Sequence, residues 1–289
     1  MNYAKGEDLK DFLKNVLRED IGEKDITTEI FIPAEKSIRG VFLAKEDCVV
    51  CGLGVVAQLL KIQDKNIKFK PLAREGERVR KGEAIAKVTG RAKSILTVER
   101  VALNLLTHLC AVTTKTKEFV NKIKPYKVRI LDTRKTVPGL RLLEKYAVRI
   151  GGGFNHRLSL DEMVMIKDNH LKVIGNRLWV AGIKKVKDKF PGKYKIEVEV
   201  NNLRDLKKAL KIRPDIIMLD NMSLKDIKKA VKLRNNLSPN PHHLSPKLEV
   251  SGRVNIKNIR KIASTGVEMV SVGELTHSVR SKDISLEIL

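Results

Sequence analysis

From residue 128 onward the chain repeats one pattern: a short β-branched run, a polar cluster at its end, and usually a helical stretch before the next run. The runs read VRILDTRK, MVMIKDNH, KIEVEVNN, IIMLDN, LEVSGR and MVSVGE. Their polar ends fall at Asp132, Lys167, Glu199, Asp220, Ser251 and Gly273. Strand and helix alternating every ~20–35 residues is the signature of parallel βα units. Asn202 ahead of LRDLKKAL and Ser223 in S-x-x-D read as helix N-caps. In an α/β barrel, polar residues at strand carboxyl ends line the mouth of the active site. Clusters in register at so many strand ends are hard to explain by packing alone.

The chain of 289 residues is long enough for about two domains. Its first part has a different texture. Asp8 to Arg18 is amphipathic, with Leu9, Phe12, Leu13, Val16 and Leu17 on one face. Ile38 to Ala44 reads as a strand, and Glu75-Gly76 and Lys81-Gly82 are turn signals between short strands. A long helix is expected over Ser94–Lys122. The Pro/Asn-rich stretch RNNLSPNPHHLSPK reads as a surface loop, with His242 and His243 solvated.

Lys and Arg number 58 against 34 Asp and Glu, a net charge of +24. That balance predicts anionic partners: nucleic acid, an acidic membrane or small polyanions. The basic residues are interleaved with acids along helix surfaces, which also fits a Lys-rich solvated exterior. Aromatics are 4% of residues, which weighs against the stacking platforms of single-strand nucleic-acid binders. No GxGxxG follows a strand and no P-loop is present, so dinucleotide and P-loop readings lack support. The N-terminus lacks a signal-peptide core, and the apolar run Val49–Leu60 is too short to span a bilayer, so a cytoplasmic location is expected.

Three cysteines make no disulfide framework. Cys48 and Cys51 form a lone CxxC without the second pair a zinc knuckle needs. If EDCVVCG continued the preceding strand, the two thiols would point to opposite faces. Buried, reduced, structural cysteines are expected.

Arg134, Lys135, His156, Arg157 and Lys167 are basic groups at strand or loop ends. Gathered at one mouth they would make a strongly positive pocket, with arginine forks suited to carboxylates or phosphates. Glu199 and Asp220 end successive strands with carboxylates. They could hold Mg2+ or accept hydrogen bonds from sugar hydroxyls; capping or ion pairing is the plainer alternative. Ser251-Gly252-Arg253 and Val272-Gly273-Glu274 are small-residue turns whose backbone N–H groups could bind phosphate. Gly151-Gly152-Gly153 allows either close backbone approach to a ligand or a tight turn. A Schiff-base aldolase using Lys135 or Lys167, and a nucleic-acid binder using the overall charge, are the competing readings.

DTRKTVPGLR (132–141), GGGFNHRLSL (151–160), MIKDNH (165–170), IEVEV (196–200), MLDN (218–221) and VSVGELTHS (270–278), in that order, resemble the quinolinate phosphoribosyltransferase family. ERVALNLL (99–106) and the terminal SLEIL (285–289) fit the same family. The resemblance implies an α/β protein whose N-terminal α/β sandwich, residues 1–112, is completed by the tail 275–289. An incompletely regular α/β barrel of the type II phosphoribosyltransferase kind, 113–274, would carry the site. It implies transfer of phosphoribosyl from phosphoribosyl pyrophosphate to quinolinate with loss of CO2, using Mg2+, in a homodimer.

The resemblance also implies residue roles. Thr133, Arg134, Lys135, His156, Arg157 and Lys167 would bind the anionic substrates. Glu199 and Asp220 would serve the ribose hydroxyls and the metal. Lys135, Lys167, Glu199 and Asp220 would be the catalytic group. The turns Ser251-Gly252-Arg253 and Val272-Gly273-Glu274 would take the 5′-phosphate. Arg100 would reach the pocket from the neighbouring subunit. The family usually has Ser-Gly-Gly where this chain has Ser251-Gly252-Arg253, so an arginine stands where a phosphate nest would want φ above zero.

Overall fold

The computed structural model describes residues 7–174, 178–237 and 246–289. The loop carrying His242 and His243 lies outside them. The chain divides into two units, one of residues 1–117, 136–152 and 275–289, the other of 118–135 and 153–274. Residues 136–152 therefore group with the first unit, not with the strand–helix repeats that flank them in sequence.

The first unit opens with α1 (Glu7–Ile21) and α2 (Ile26–Phe31), followed by β1 (Ser37–Ala44), β2 (Cys48–Val49) and α3 (Leu53–Gln63). Then come β3 (Lys68–Pro71), β4 (Arg78–Val79), β5 (Ala84–Arg91) and α4 (Ala92–Lys122). The apolar stripe of α1 buries Leu9, Leu13 and Leu17, and the helix packs on α3. Gly76 and Gly82 have φ of +82° and +87°, the left-handed turns that Glu75-Gly76 and Lys81-Gly82 announced.

The N-terminus of α3 begins at Gly52, which has no side chain to cap it. Glu75 supplies the missing acceptor: its carboxylate takes the N–H groups of Gly52 at 3.0 Å and Leu53 at 2.8 Å. Among the described residues, α4 is the one helix long and apolar enough to cross a bilayer. Yet 61% of its most apolar 18-residue stretch is buried inside the fold, as in a core helix.

The cysteines depart from the expected strand geometry. The chain leaves the pleat after Val49, and β2 pairs with β4 rather than prolonging β1. The Cys51 amide then donates to Cys110 Sγ at 3.3 Å, and the Cys48 thiol hydrogen-bonds the same sulfur. All three are reduced and buried. Burial pushes the Cys51 thiol up, and the Cys110 thiol is pushed up first by its hydrogen bond to Cys48 and then by burial.

After α4 follow β6 (Arg129–Leu131), α5 (Arg141–Ile150), β7 (Met163–Ile166), α6 (Asp168–Ile174), α7 (Leu178–Lys189) and β8 (Lys195–Val200). Next come α8 (Leu203–Ile212), β9 (Ile216–Asp220), α9 (Leu224–Leu237), β10 (Lys247–Ser251), α10 (Ile259–Ala263) and β11 (Met269–Ser271). The short α11 (Glu274–His277) and β12 (Ile284–Ile288) end the chain. In the first unit, β12 pairs antiparallel with β1, completing a sheet ordered β12-β1-β5-β3.

The glycine run has a structural use in the same unit. A Cβ on Gly151 would come within 2.6 Å of Thr116 Cβ, so this glycine lets the end of α5 approach α4. Gly152 turns the chain at φ +89°.

The second unit is built on an all-parallel sheet ordered β6-β11-β10-β9-β8-β7. Phe154 bridges Leu131 on the free side of β6, and Arg129 stacks over its ring at 5.1 Å. Among the described residues no pairing joins β6 to β7, so this α/β barrel is open. Its strands bury Ile196, Val198, Ile217, Leu219, Leu248 and Val250. Asn202 and Ser223 cap their helices as expected, accepting from the amides of Asp205 (2.9 Å) and Asp226 (3.1 Å).

Candidate active site

Strand register sets the site. Ile166 pairs with Val198, so Lys167 comes level with Glu199; Asp220 pairs with Ser251, and Ser271 with Leu131, just ahead of Asp132. The polar strand ends thus share the carboxyl edge of one parallel sheet, where ligands bind in such folds.

Glu199 is half-buried, and its carboxyl is pushed up, first by burial and then by the charge of Asp220, with Lys167 opposing. Lys167, Glu199 and Asp220 are therefore electrostatic neighbours. Asp220 Oδ2 accepts from the Asn221 side-chain amide at 2.7 Å. Two hard carboxylate donors beside one another and open to the mouth suit Mg2+.

Arg157 is half-buried, and burial followed by the charge of Arg134 holds its guanidinium below the ordinary value, with Glu197 opposing. The two arginines are thus close enough to repel, a cost that an anion lying between them would remove. Arg157 also donates from Nη1 to the Met163 carbonyl at 3.1 Å, which fixes its fork. Lys135 is exposed, and its amide donates to Thr133 Oγ1 at 3.1 Å.

His156 is held at its amide and at Nδ1, while Nε2 faces two carboxylates. Its amide donates to Asp132 Oδ1 at 2.9 Å, and the Arg157 amide donates to its Nδ1 at 2.8 Å. Its Nε2 lies 3.0 Å from Glu197 Oε2 and 3.6 Å from Glu249 Oε2. Both glutamates are fully buried. Ser271 Oγ donates to the far oxygen of Glu249 at 2.5 Å. Burial, then the charge of Glu197, pushes the Glu249 carboxyl up to about 8.

Sequence reasoning passed over Glu197, Glu249 and the Asp132–Asn155 contact of 2.5 Å. A signal existed. Strands of a parallel sheet covered on both faces read as near-continuous apolar runs, so a glutamate inside IEVEV or LEV is anomalous. Residues 197 and 199 share a face, as do 249 and 251.

At the next strand ends Gly252 and Arg253 have φ of +85° and +52°, and Asn221 has φ +53°. A Cβ at Gly252 would meet Asn221 Oδ1 at 2.4 Å, and the Asn221 amide donates to the Ser251 carbonyl at 3.0 Å. Val272, Gly273 and Glu274 follow β11 on the same edge. Arg100 is exposed on α4 in the first unit.

Comparison with known proteins gives this edge its context. The quinolinate phosphoribosyl transferase N-terminal domain matches residues 25–110, and the C-terminal domain matches 112–287. The chain belongs to the quinolinate phosphoribosyltransferase family. A probable nicotinate-nucleotide pyrophosphorylase [carboxylating] of Methanocaldococcus jannaschii is 42% identical over 287 residues, covering 97% of this chain and 99% of that one. Its Bacillus subtilis counterpart is 36% identical, covering 97% and 93%. The nicotinate-nucleotide pyrophosphorylase structure from Francisella tularensis superposes with a TM-score of 0.88 at 35% identity, covering 100% of this chain and 99% of that one. Membership in the quinolinate phosphoribosyltransferase family displaces the Schiff-base aldolase reading.

Proposed function

We propose that the carboxyl edge of the parallel sheet is where this chain carries out the family's reaction, with the cations around Arg134, Arg157 and Lys167 facing the carboxylates Glu199 and Asp220. The activity is phosphoribosyl transfer from phosphoribosyl pyrophosphate to quinolinate, giving nicotinate mononucleotide, pyrophosphate and CO2 in NAD biosynthesis. The observation that supports the assignment of the site is the register that brings Lys167 level with Glu199 and Asp220 level with Ser251 on one edge of the parallel sheet.

The chemistry follows from that pocket. The quinolinate ring nitrogen donates its lone pair to the anomeric carbon as the bond to pyrophosphate breaks. No general base is needed. The pyridinium so formed accepts the electron pair released when the adjacent C–CO2 bond breaks, and a proton replaces CO2 on that carbon. Arg134, Lys135 and Arg157 bind the carboxylates and, with Lys167, screen the repulsion between two anionic reactants. Alignment alone is worth ~7–11 kcal/mol. Glu199 and Asp220 accept from the ribose hydroxyls and would hold Mg2+, which would supply positive charge beside the pyrophosphate leaving group.

The turns at Ser251-Gly252-Arg253 and Val272-Gly273-Glu274 present N–H groups, and at Arg253 a guanidinium, to the 5′-phosphate. Arg100 completes the pocket of a neighbouring subunit in a two-fold dimer, and the enzyme works in the cytoplasm. Incubation with quinolinate, phosphoribosyl pyrophosphate and Mg2+ should yield nicotinate mononucleotide, and nicotinate in place of quinolinate should not. Absence of product with quinolinate overturns the reading.

A further inference from the structure

Behind His156 sits a group of side chains that the reaction as written does not use. Glu197 on β8 and Glu249 on β10 are both fully buried, and the ligand-type atoms of His156, Glu197 and Glu249 all lie within 4.8 Å of one another. Two occupants could satisfy such a trio: a metal ion or a proton. The backbone decides between them. Because the Arg157 amide donates to Nδ1, that nitrogen presents a lone pair and cannot also carry the ring proton. The proton of a neutral imidazole then resides on Nε2, the atom facing the two carboxylates. A metal on Nε2 would displace it with nowhere on the ring to go.

We propose that Glu197 and Glu249 are positioning residues for the substrate pocket: packed 3.0 and 3.6 Å from Nε2, they hold the His156 ring in place by proximity and charge, and through the Arg157 amide on Nδ1 they fix where Arg157 presents its guanidinium. The proposal rests on the site assignment above. Ser271 donates to Glu249, whose other oxygen lies 3.6 Å from His156 Nε2, Glu197 lies closer at 3.0 Å, and the ring's Nδ1 accepts the Arg157 amide. Asp132 pins the other end of the unit by accepting the His156 amide. Residues from β8, β10 and β11 thus converge on one ring, while the arginine that follows it faces Arg134. Burying two glutamates is costly unless their geometry is used. Here it orients a neighbour rather than adding stability.

The test separates positioning from simple destabilisation. Glu249→Ala should raise the quinolinate KM by at least roughly tenfold, the scale of Arg157 losing its contact to a carboxylate, while the phosphoribosyl pyrophosphate KM stays within about twofold. Glu249→Asp, which keeps the carboxyl but withdraws it by one methylene, should fall between wild type and Glu249→Ala. If neither KM moves, or both rise together, the proposal fails. Should Glu249→Ala not fold, Glu249→Asp and nitrogen-15 NMR of wild-type His156, assigned against His156→Gln, carry the test. Protonated Nε2 with unprotonated Nδ1 supports the lock, and a protonated Nδ1 overturns it. An inactive wild type would refute the site assignment, while the NMR result would still judge the ring.

Discussion

Arg253 pays a visible backbone cost, with φ +52° directly after Gly252 at +85°, as Arg213 and Asn221 do at +53°. A left-handed non-glycine residue costs ~1–2 kcal/mol. Such strain persists where surrounding structure over-determines it, typically at ligand sites. Arg253→Gly removes that strain but restores ~0.5–1 kcal/mol of unfolded-chain entropy. Stability in urea should therefore equal wild type or exceed it by up to about 1.5 kcal/mol. If the guanidinium reaches the 5′-phosphate, the phosphoribosyl pyrophosphate KM rises in the same variant. A loss of stability would show that the turn does not bear the strain.

Glu249 makes a second residue-scale prediction. Its carboxyl is raised from 4.5 to about 8, so the folded state holds a proton that the unfolded chain has released. Stability from that proton is fully present below pH 4.5 and declines as pH rises through about 8. Measured against Glu249→Gln, wild-type stability should fall across that window. A flat difference would mean that Glu249 is ionised in the fold.

At the scale of elements, caps give sharper predictions than strands do. Asn202 accepts the Asp205 amide at the start of α8, and Asn202→Ala should cost ~1 kcal/mol by thermal denaturation with little change in kinetics. This cap was legible because a polar residue stood immediately before an amphipathic run. So were the strand ends at Asp132, Lys167, Glu199, Asp220 and Ser251, where periodicity breaks into polarity. Other features were not. β2 and β4 are each only two residues long, too short to carry a period, so the bend that gathers the cysteines around Cys110 went unseen. Glu197 and Glu249 were marked by their place inside apolar strand runs, but their shared partner, the distant His156, has no signature in sequence spacing. The grouping of α5 with the first unit is likewise set by tertiary contacts such as Gly151 against Thr116.

For the whole molecule, the decisive question is whether one chain makes one site. Arg100 lies on the exposed face of α4, in a different unit from the cations around Arg157. A two-fold dimer would deliver it reciprocally, each chain completing the other's pocket. Arg100→Ala and Lys167→Ala should each be inactive alone. Mixed under subunit exchange, half of the dimers pair one variant with the other, and each mixed dimer carries one pocket with both residues intact and one with neither. Activity should then recover to roughly a quarter of wild type. Verified exchange without recovery would place Arg100 in the service of its own chain, because every pocket in the mixture would then lack either Arg100 or Lys167.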